Sequence, residues 1–153
     1  MCIRDRRSYE LLEKLSVVGV EAVKVALFAI ENGIVPIAQT GQASMAAKIN
    51  REEAKVDWNS PADAILNRIR AFYPQPQAWT NFRGQTLKIS LAKILESDLK
   101  LEPGELRVIG SQCCIGTSDA TLVLERLTPA GKKEISALDW SRGARFESSE
   151  RCG

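Results

Sequence analysis

The sequence predicts an α+β fold, in which a small β-barrel of the oligonucleotide-binding type with flanking helices follows a long N-terminal helix and a linker. Three observations support this prediction. Residues 8–32 carry apolar side chains at helical spacing, and residues 79–127 contain about five short alternating segments separated by turns. Between these regions, Ser60-Pro61 marks a second helix start, because serine caps helices and proline suits their first position.

The N-terminal helix is predicted to span residues 8–32. Ser8 can cap it, Glu10 lies in the first turn, where the helix dipole favours an acid, and Gly33 follows as a stop. Apolar residues lie on nearly every side, which is typical of a helix buried against a large neighbour. Such a helix normally needs more protein to pack against than one small neighbour.

Small residues predict a linker after the first helix, and prolines predict where the second helix ends. Residues 33–45 are rich in small and polar side chains, which is typical of a connecting segment. The second helix begins at Ser60 and must end near Phe72, because Pro74 and Pro76 cannot continue a helix.

Beyond residue 78 the pattern changes to alternation, which predicts strands. Arg83-Gly84 and Gly110 mark the turns of two hairpins. A short helix is expected after the last strand, capped by Ser136 and ended by Gly143. The predicted strands are residues 79–82, 86–95, 106–109, 113–117 and 122–127.

The composition of the 153 residues, 44% hydrophobic and 26% charged, is that of an ordinary globular protein. The chain has no histidine, which excludes histidine general-base catalysis, Ser–His and Cys–His nucleophile pairs, and most zinc sites. Its four cysteines show neither metal-ligand spacing nor a disulfide framework, so we expect reduced thiols and no metal. We also predict no membrane span and no secretory signal peptide.

The net charge of +2 is unevenly distributed along the chain. Residues 61–95 hold five basic side chains and one acidic, residues 96–125 hold two basic and six acidic, and residues 126–145 hold five basic and two acidic. Two basic blocks therefore flank an acidic one. If the fold brings the basic blocks together, they form one basic face suited to a phosphate-rich partner.

The sharpest candidates on that face are Lys132 and Lys133, which follow the proline–glycine loop of residues 129–131. Lysine is a mobile point charge that suits phosphate. Lys88 alternates with apolar neighbours and so lies on the polar face of its strand, while Arg83 lies at a hairpin tip. Each could instead belong to an ordinary solvated surface. The three tryptophans could stack on bases, but their positions favour core packing.

Three stretches together resemble the C-terminal part of the methionyl-tRNA formyltransferase family. They are residues 51–58 (REEAKVDW), 69–79 (IRAFYPQPQAW) and 129–145 (PAGKKEISALDWSRGAR), and the resemblance runs from about residue 8 to about residue 145. It implies a barrel domain that contacts initiator methionyl-tRNA. The enzyme would be cytoplasmic and would formylate this tRNA for translation initiation, with 10-formyltetrahydrofolate as the donor.

The resemblance also divides the chain. Residues 1–7 match nothing in the family and are expected to be a non-native leader, and residues 8–33 resemble the last helix of a Rossmann-like formyl-transfer domain. Residues 34–57 would be the linker, residues 58–146 the barrel domain, and residues 147–153 a tail. The family's catalytic asparagine, histidine and aspartate belong to its N-terminal domain, as does the donor pocket. This chain alone is therefore expected to hold no catalytic residue or cofactor and to be inactive.

The resemblance further implies which basic residues contact tRNA. The family's linker lysine corresponds to Lys48. The contacts implied on the basic face are Arg70, Arg83, Lys88, Lys132, Lys133, Arg142 and Arg145. Departures from the family pattern at Met45, Tyr73 and Gln75 affect fine contacts rather than membership.

Two other interpretations stay open. The chain could be the C-terminal domain of a related formyltransferase or hydrolase that acts on a small molecule, such as a sugar nucleotide or formylfolate, without tRNA. It could also be an inert fragment. The Lys132-Lys133 loop and the uneven charge favour tRNA binding, and the expected partners are then initiator methionyl-tRNA and the missing N-terminal catalytic domain, with no membrane.

Overall fold

The computed structural model describes residues 6–147 and 150–153 and confirms an α+β fold. The chain divides into two units, Met1–Ile49 and Asn50–Gly153. Most of the predicted leader, including Cys2, lies outside the described residues, as do residues 148–149 of the predicted tail. No helix among the described residues is long and apolar enough to cross a membrane.

The first unit contains helix α1, Ser8–Glu31, which confirms the predicted span to within one residue. Gly33, at a φ of 67°, lies just beyond its end. The predicted serine cap is wrong, because Ser8 is already helical; Arg7 holds the cap position and donates its backbone N–H to Glu10 Oε2 at 3.1 Å. Every residue of α1 is described and none is buried.

The second unit is an antiparallel sheet with helices α2, Ala62–Phe72, and α3, Ala137–Ala144, after a single 3-10 turn at Glu52–Ala54. The strands are β1 Ala78–Phe82, β2 Gln85–Ile94, β3 Leu106–Ile109, β4 Gln112–Gly116, β5 Thr121–Pro129 and β6 Ile135–Ser136. Their order is β1-β2-β5-β4-β3, and β6 pairs with β5. The five predicted strands are confirmed, whereas β6 is too short for alternation to predict.

The predicted barrel of the oligonucleotide-binding type is not confirmed, because the sheet is not closed over the part of the chain that the structure describes. Among the described residues β1 and β3 form the edges of the sheet and do not pair with each other. Residues 150–153, here called the 150–153 segment, instead hydrogen-bond to both edges. The bonds are Leu106 N–H to Glu150 O (2.9 Å), Cys152 N–H to Gly104 O (2.9 Å) and Gly153 N–H to Asn81 O (3.1 Å). The alternation of apolar and polar residues within a strand predicts which face of the strand is buried, but it does not predict which strand edges of the sheet pair with each other.

All three tryptophans are buried, as predicted. Trp58, Trp79 and Trp140 are 3%, 8% and 9% exposed. The three tryptophans therefore pack in the core and are not open platforms on which bases could stack.

Helix α2 ends at Phe72 and α3 starts after Ser136, as predicted, but the cap of α2 and the end of α3 differ from the prediction. The first N–H of α2, at Ala62, donates to Asp119 Oδ1 at 2.8 Å, so a carboxylate from the β4–β5 turn replaces the predicted cap by Ser60. This hydrogen bond also lowers the pKa of Asp119. Helix α3 starts after Ser136 as predicted but continues through Gly143, because Arg145 adopts the left-handed conformation that ends it, with φ 44°.

Candidate nucleic-acid interface

The loop between β5 and β6 presents the two lysines that the sequence singles out. Gly131 has a φ of 70°, and the Lys132 N–H donates to Pro129 O at 3.0 Å, which closes the turn. Lys132 and Lys133 are exposed, and neither ammonium group has a partner among the described residues. The loop therefore holds two available positive charges on a fixed backbone.

The sheet places Lys88 beside this loop. Lys88 on β2 lies opposite Thr128 on β5 and opposite Trp79 on β1, so the three side chains share one face of the sheet. Thr128 directly precedes the residues that form the loop. Lys88 therefore faces the same region as the loop lysines.

Arg51 reaches this face from the segment before α2, although sequence reasoning did not single it out. Its guanidinium carbon lies 5.1 Å from the centre of the Trp79 ring, a cation–π contact. Its Nη2 donates to Thr86 Oγ1 at 3.3 Å, and its carbonyl accepts the Trp79 indole N–H at 2.8 Å. Lys55 Nζ lies 5.8 Å from the same ring. Trp79 thus anchors Arg51 while leaving most of its guanidinium donors available to a ligand.

These residues line a groove of about 430 Å³, here called the basic groove. Arg51, Lys88 and Lys132 contribute the charges of its walls, and no described acidic residue lines it. Thr86 and Thr128 add hydroxyl groups. Unopposed positive charge in a concave surface attracts anions, and the combination of lysine, arginine and threonine suits phosphate oxygens.

Arg83 lies outside the basic groove, and its guanidinium is already paired. Its Nε and Nη2 donate to Glu150 Oε1 and Oε2 at 2.7 and 2.6 Å, and its Nη1 donates to Ala144 O at 3.0 Å. The hydrogen bond to Glu150 raises the pKa of Arg83, and the reciprocal contact lowers the pKa of Glu150. Arg83 thus attaches the β1–β2 turn to the 150–153 segment and to the end of α3.

The other predicted contacts are dispersed. Arg70, in the last turn of α2, is half-buried and donates to Asn67 Oδ1. Arg142 pairs with Asp139 at 3.4 Å, and Arg145 is exposed at the end of α3. Neither lines the basic groove. Lys48 is exposed in the first unit. The structure therefore brings Lys88 and Lys132 together with Arg51, and Lys133 lies next to them in the chain.

The described cysteines are not reactive thiols. Cys113, Cys114 and Cys152 are buried and free. Burial raises the pKa of Cys113 and of Cys152 to about 12 in each case, which disfavours the nucleophilic thiolate. The described part of the chain also contains no group of three or more Cys, Asp or Glu side chains placed to hold a metal ion.

Comparison with known proteins gives consistent matches. Residues 48–145 match the family described as formyl transferase, C-terminal domain. Similar curated proteins include the methionyl-tRNA formyltransferases of Arthrobacter sp. and Saccharopolyspora erythraea. Each is 38% identical to this chain, and the matches cover 91% and 92% of this chain and 46% of each relative. The chain therefore spans about half the length of the curated relatives that it matches.

A similar solved structure is a variant of HypX from Aquifex aeolicus. The superposition has a TM-score of 0.70 at 22% sequence identity and covers 92% of this chain and 27% of the HypX chain. At this identity the likeness shows a shared fold and nothing more about activity.

Proposed function

This chain belongs to the formyl transferase C-terminal domain family, and on that premise we propose that it is the tRNA-binding portion of a methionyl-tRNA formyltransferase. The curated relatives at 34–38% identity carry that name. The proposed partner is initiator methionyl-tRNA, in the cytoplasm, at the start of translation. The formyl donor, 10-formyltetrahydrofolate, would bind elsewhere in the complete enzyme.

The observation that carries this proposal is the convergence of Arg51, Lys88 and Lys132 in the basic groove. These cations come from three separate parts of the chain, and the fold places them around one concave surface without an acidic neighbour among the described lining residues. A solvated surface of mixed charge would instead place acids between them. Phosphate contacts made by such groups position a protein on nucleic acid without reading its sequence.

The exposed apolar surface of helix α1 supports the proposal that catalysis depends on a separate domain. Large apolar side chains such as Val17, Val25 and Ile30 are 72%, 68% and 70% exposed, and an apolar surface of this extent marks a contact site. We propose that residues 8–33 are the last helix of a formyl-transfer domain and residues 34–57 the linker. The domain proper would then comprise residues 58–146, and catalysis would depend on the other half of the enzyme.

The test is the salt dependence of tRNA binding by the 153-residue chain. Releasing counterions from phosphates makes log K fall linearly with log salt, by a slope of about 0.9 for each phosphate contacted in a duplex. We expect Lys88→Ala together with Lys132→Ala to weaken binding of initiator methionyl-tRNA at least about tenfold and to flatten the slope by about two.

The matched control is Lys14→Ala together with Lys100→Ala, which removes the same number of positive charges from exposed lysines outside the basic groove. It should leave the slope close to that of the wild type. If the wild-type chain shows no salt-dependent binding, tRNA recognition is ruled out, and a domain that acts with a small-molecule substrate becomes the better description.

A further inference from the structure

A second groove shares the lining residues Pro129, Ala130 and Lys132 with the basic groove, and the function proposed above does not use it. Its volume is about 420 Å³, and Pro129, Lys132, Asp139 and Trp140 contribute to its lining. We call it the tryptophan groove. Small-molecule pockets have volumes of about 300–1,000 Å³, so this groove is large enough for a nucleoside.

Trp140 differs from the other two tryptophans in its hydrogen bonding. The indole N–H groups of Trp58 and Trp79 donate to Thr80 Oγ1 at 3.0 Å and to Arg51 O at 2.8 Å. Trp140 is 9% exposed, yet its N–H has no acceptor among the described residues. Buried indole N–H groups usually have one, so in the free protein water is the partner left to this donor.

The Trp140 N–H is accessible from outside the protein. Arg107 Nε is the one completely buried side-chain donor or acceptor without a partner in the described part of the chain, so the indole nitrogen of Trp140 retains contact with solvent. Trp140 lines the tryptophan groove and packs edge-on against Phe82, another lining residue, with ring centroids 5.1 Å apart. A ligand in the groove could supply the acceptor that this N–H lacks.

The residue before Trp140 brings a hydrogen-bond acceptor to the same groove. Asp139 also lines the groove and is exposed. Its Oδ1 accepts a bond from Arg142 Nη1 at 3.4 Å, which partly offsets its charge beside an anionic ligand. An ionised carboxylate can accept several hydrogen bonds, so Asp139 keeps capacity for another donor.

We infer that the tryptophan groove binds the ribose of an RNA nucleotide, with the Trp140 N–H and the Asp139 carboxylate on its 2′-hydroxyl. That hydroxyl is both a donor and an acceptor, and it distinguishes RNA from DNA. Lys132 and Pro129 line both grooves, so one strand can cross the loop with a phosphate at Lys132 and the neighbouring ribose at Trp140. The inference rests on the proposed function and adds to it a site that recognises ribose.

The experiment compares two probes of equal backbone charge: a synthetic RNA hairpin, and the same hairpin with 2′-fluoro in place of every 2′-hydroxyl. Binding of each to the 153-residue chain is measured by fluorescence anisotropy at one salt concentration. We expect the wild type to bind the hydroxyl form about threefold to tenfold more tightly, as one hydrogen bond of this kind predicts. Trp140→Phe, which keeps an aromatic ring but removes the N–H, should bring this ratio close to one.

Asp139→Ala is the second variant, because it removes the acceptor at an exposed position and does not depend on core packing. It should raise the affinity for both probes through the lost negative charge and still lower their ratio. The ratio does not change with the fraction of folded protein. Equal binding of both probes by the wild type, or a wild-type ratio in both variants, would overturn the inference and leave the proposed function intact. If neither probe binds, the inference fails, and the salt titration with initiator methionyl-tRNA decides the proposed function separately.

Discussion

Arg83 and Lys88 lie on the same hairpin, and both carry positive charge, yet the structure uses them differently. Lys88 faces the basic groove without an ion-pair partner among the described residues, whereas Arg83 is engaged by both carboxylate oxygens of Glu150. The difference shows that charge counted along a sequence is not the same as charge available to a ligand. The basic groove offers charge to a partner, and the β1–β2 turn uses its charge to hold the fold together.

The largest expected effect comes from displacing the 150–153 segment that Arg83 holds. A Cβ at Gly104 would lie 2.5 Å from Cys152 O, and Gly104 has a φ of 77°, so Gly104→Ala is both strained and obstructed. We expect it to lower the free energy of unfolding by about 2–4 kcal/mol. Chemical denaturation followed by tryptophan fluorescence measures this loss.

The control for that variant is Gly110→Ala, because Gly110 has a φ of 59° but open space around its would-be Cβ. It should cost only the strain of a left-handed residue, about 1–2 kcal/mol. Equal losses in the two variants would mean that the 150–153 segment contributes nothing to stability.

Single substitutions of Lys88 and Arg83 test this difference directly. Lys88→Ala should weaken tRNA binding about threefold to tenfold, flatten the salt slope by about one, and leave the melting temperature unchanged. Arg83→Ala should do the reverse: a melting temperature lower by a few degrees, as expected for the loss of a bidentate pair, and a nearly unchanged slope. Thermal denaturation gives the melting temperature of each variant, and a salt titration of tRNA binding gives its slope. If Arg83→Ala alone flattened the slope, Arg83 and not Lys88 would be the residue that contacts phosphate.

Removing Glu150 tests whether Arg83 can become available charge. In Glu150→Ala the guanidinium loses both carboxylate bonds, so we expect tRNA to bind about twofold to threefold more tightly at low salt. Glu96→Ala makes the same change of net charge at an exposed acid and is the control. Equal gains in the two variants would indicate a general charge effect rather than the release of Arg83.

The smallest effect is the pH dependence of the Arg83–Glu150 pair. The Arg83 hydrogen bond lowers the pKa of Glu150 below its ordinary value of 4.5. The pair therefore contributes fully above pH 4.5, and the contribution is lost as the pH falls through the lower folded-state pKa. Melting temperatures between neutral pH and about pH 3 should fall more steeply for the wild type than for Glu150→Ala. Parallel curves would contradict this linkage.

Local pattern predicted most of the elements, because helical spacing, prolines and glycine turns act over short distances. The bounds of α1, the first hairpin and the start of α3 all follow from neighbouring residues. Three features did not follow, since each joins distant residues: the Asp119 cap on α2, 57 residues away, the Arg83–Glu150 pair, 67 residues apart, and the sheet that stays open between β1 and β3.

The candidate site shows the same limit. Alternation placed Lys88 on the polar face, and the proline–glycine loop pointed to Lys132 and Lys133. Arg51 precedes two glutamates, so its sequence context resembles a solvated surface. Only its packing on Trp79 reveals that it reaches the basic groove. A cation near a buried aromatic ring is visible in three dimensions and not in a charge count.

The 150–153 segment contains a natural reporter of its own attachment. The Cys152 thiol is 5% exposed and hydrogen bonds on either side of it hold the backbone to both edges of the sheet. Burial slows alkylation of this sulfur while the segment is attached, so labelling accelerates when the segment detaches. In a Cys2→Ser background, the rate of its labelling thus measures how often the segment detaches, while Cys114, in a separate apolar cluster with Leu101 and Val123, reports opening of the whole domain. One chain and one reagent therefore distinguish local detachment from global unfolding.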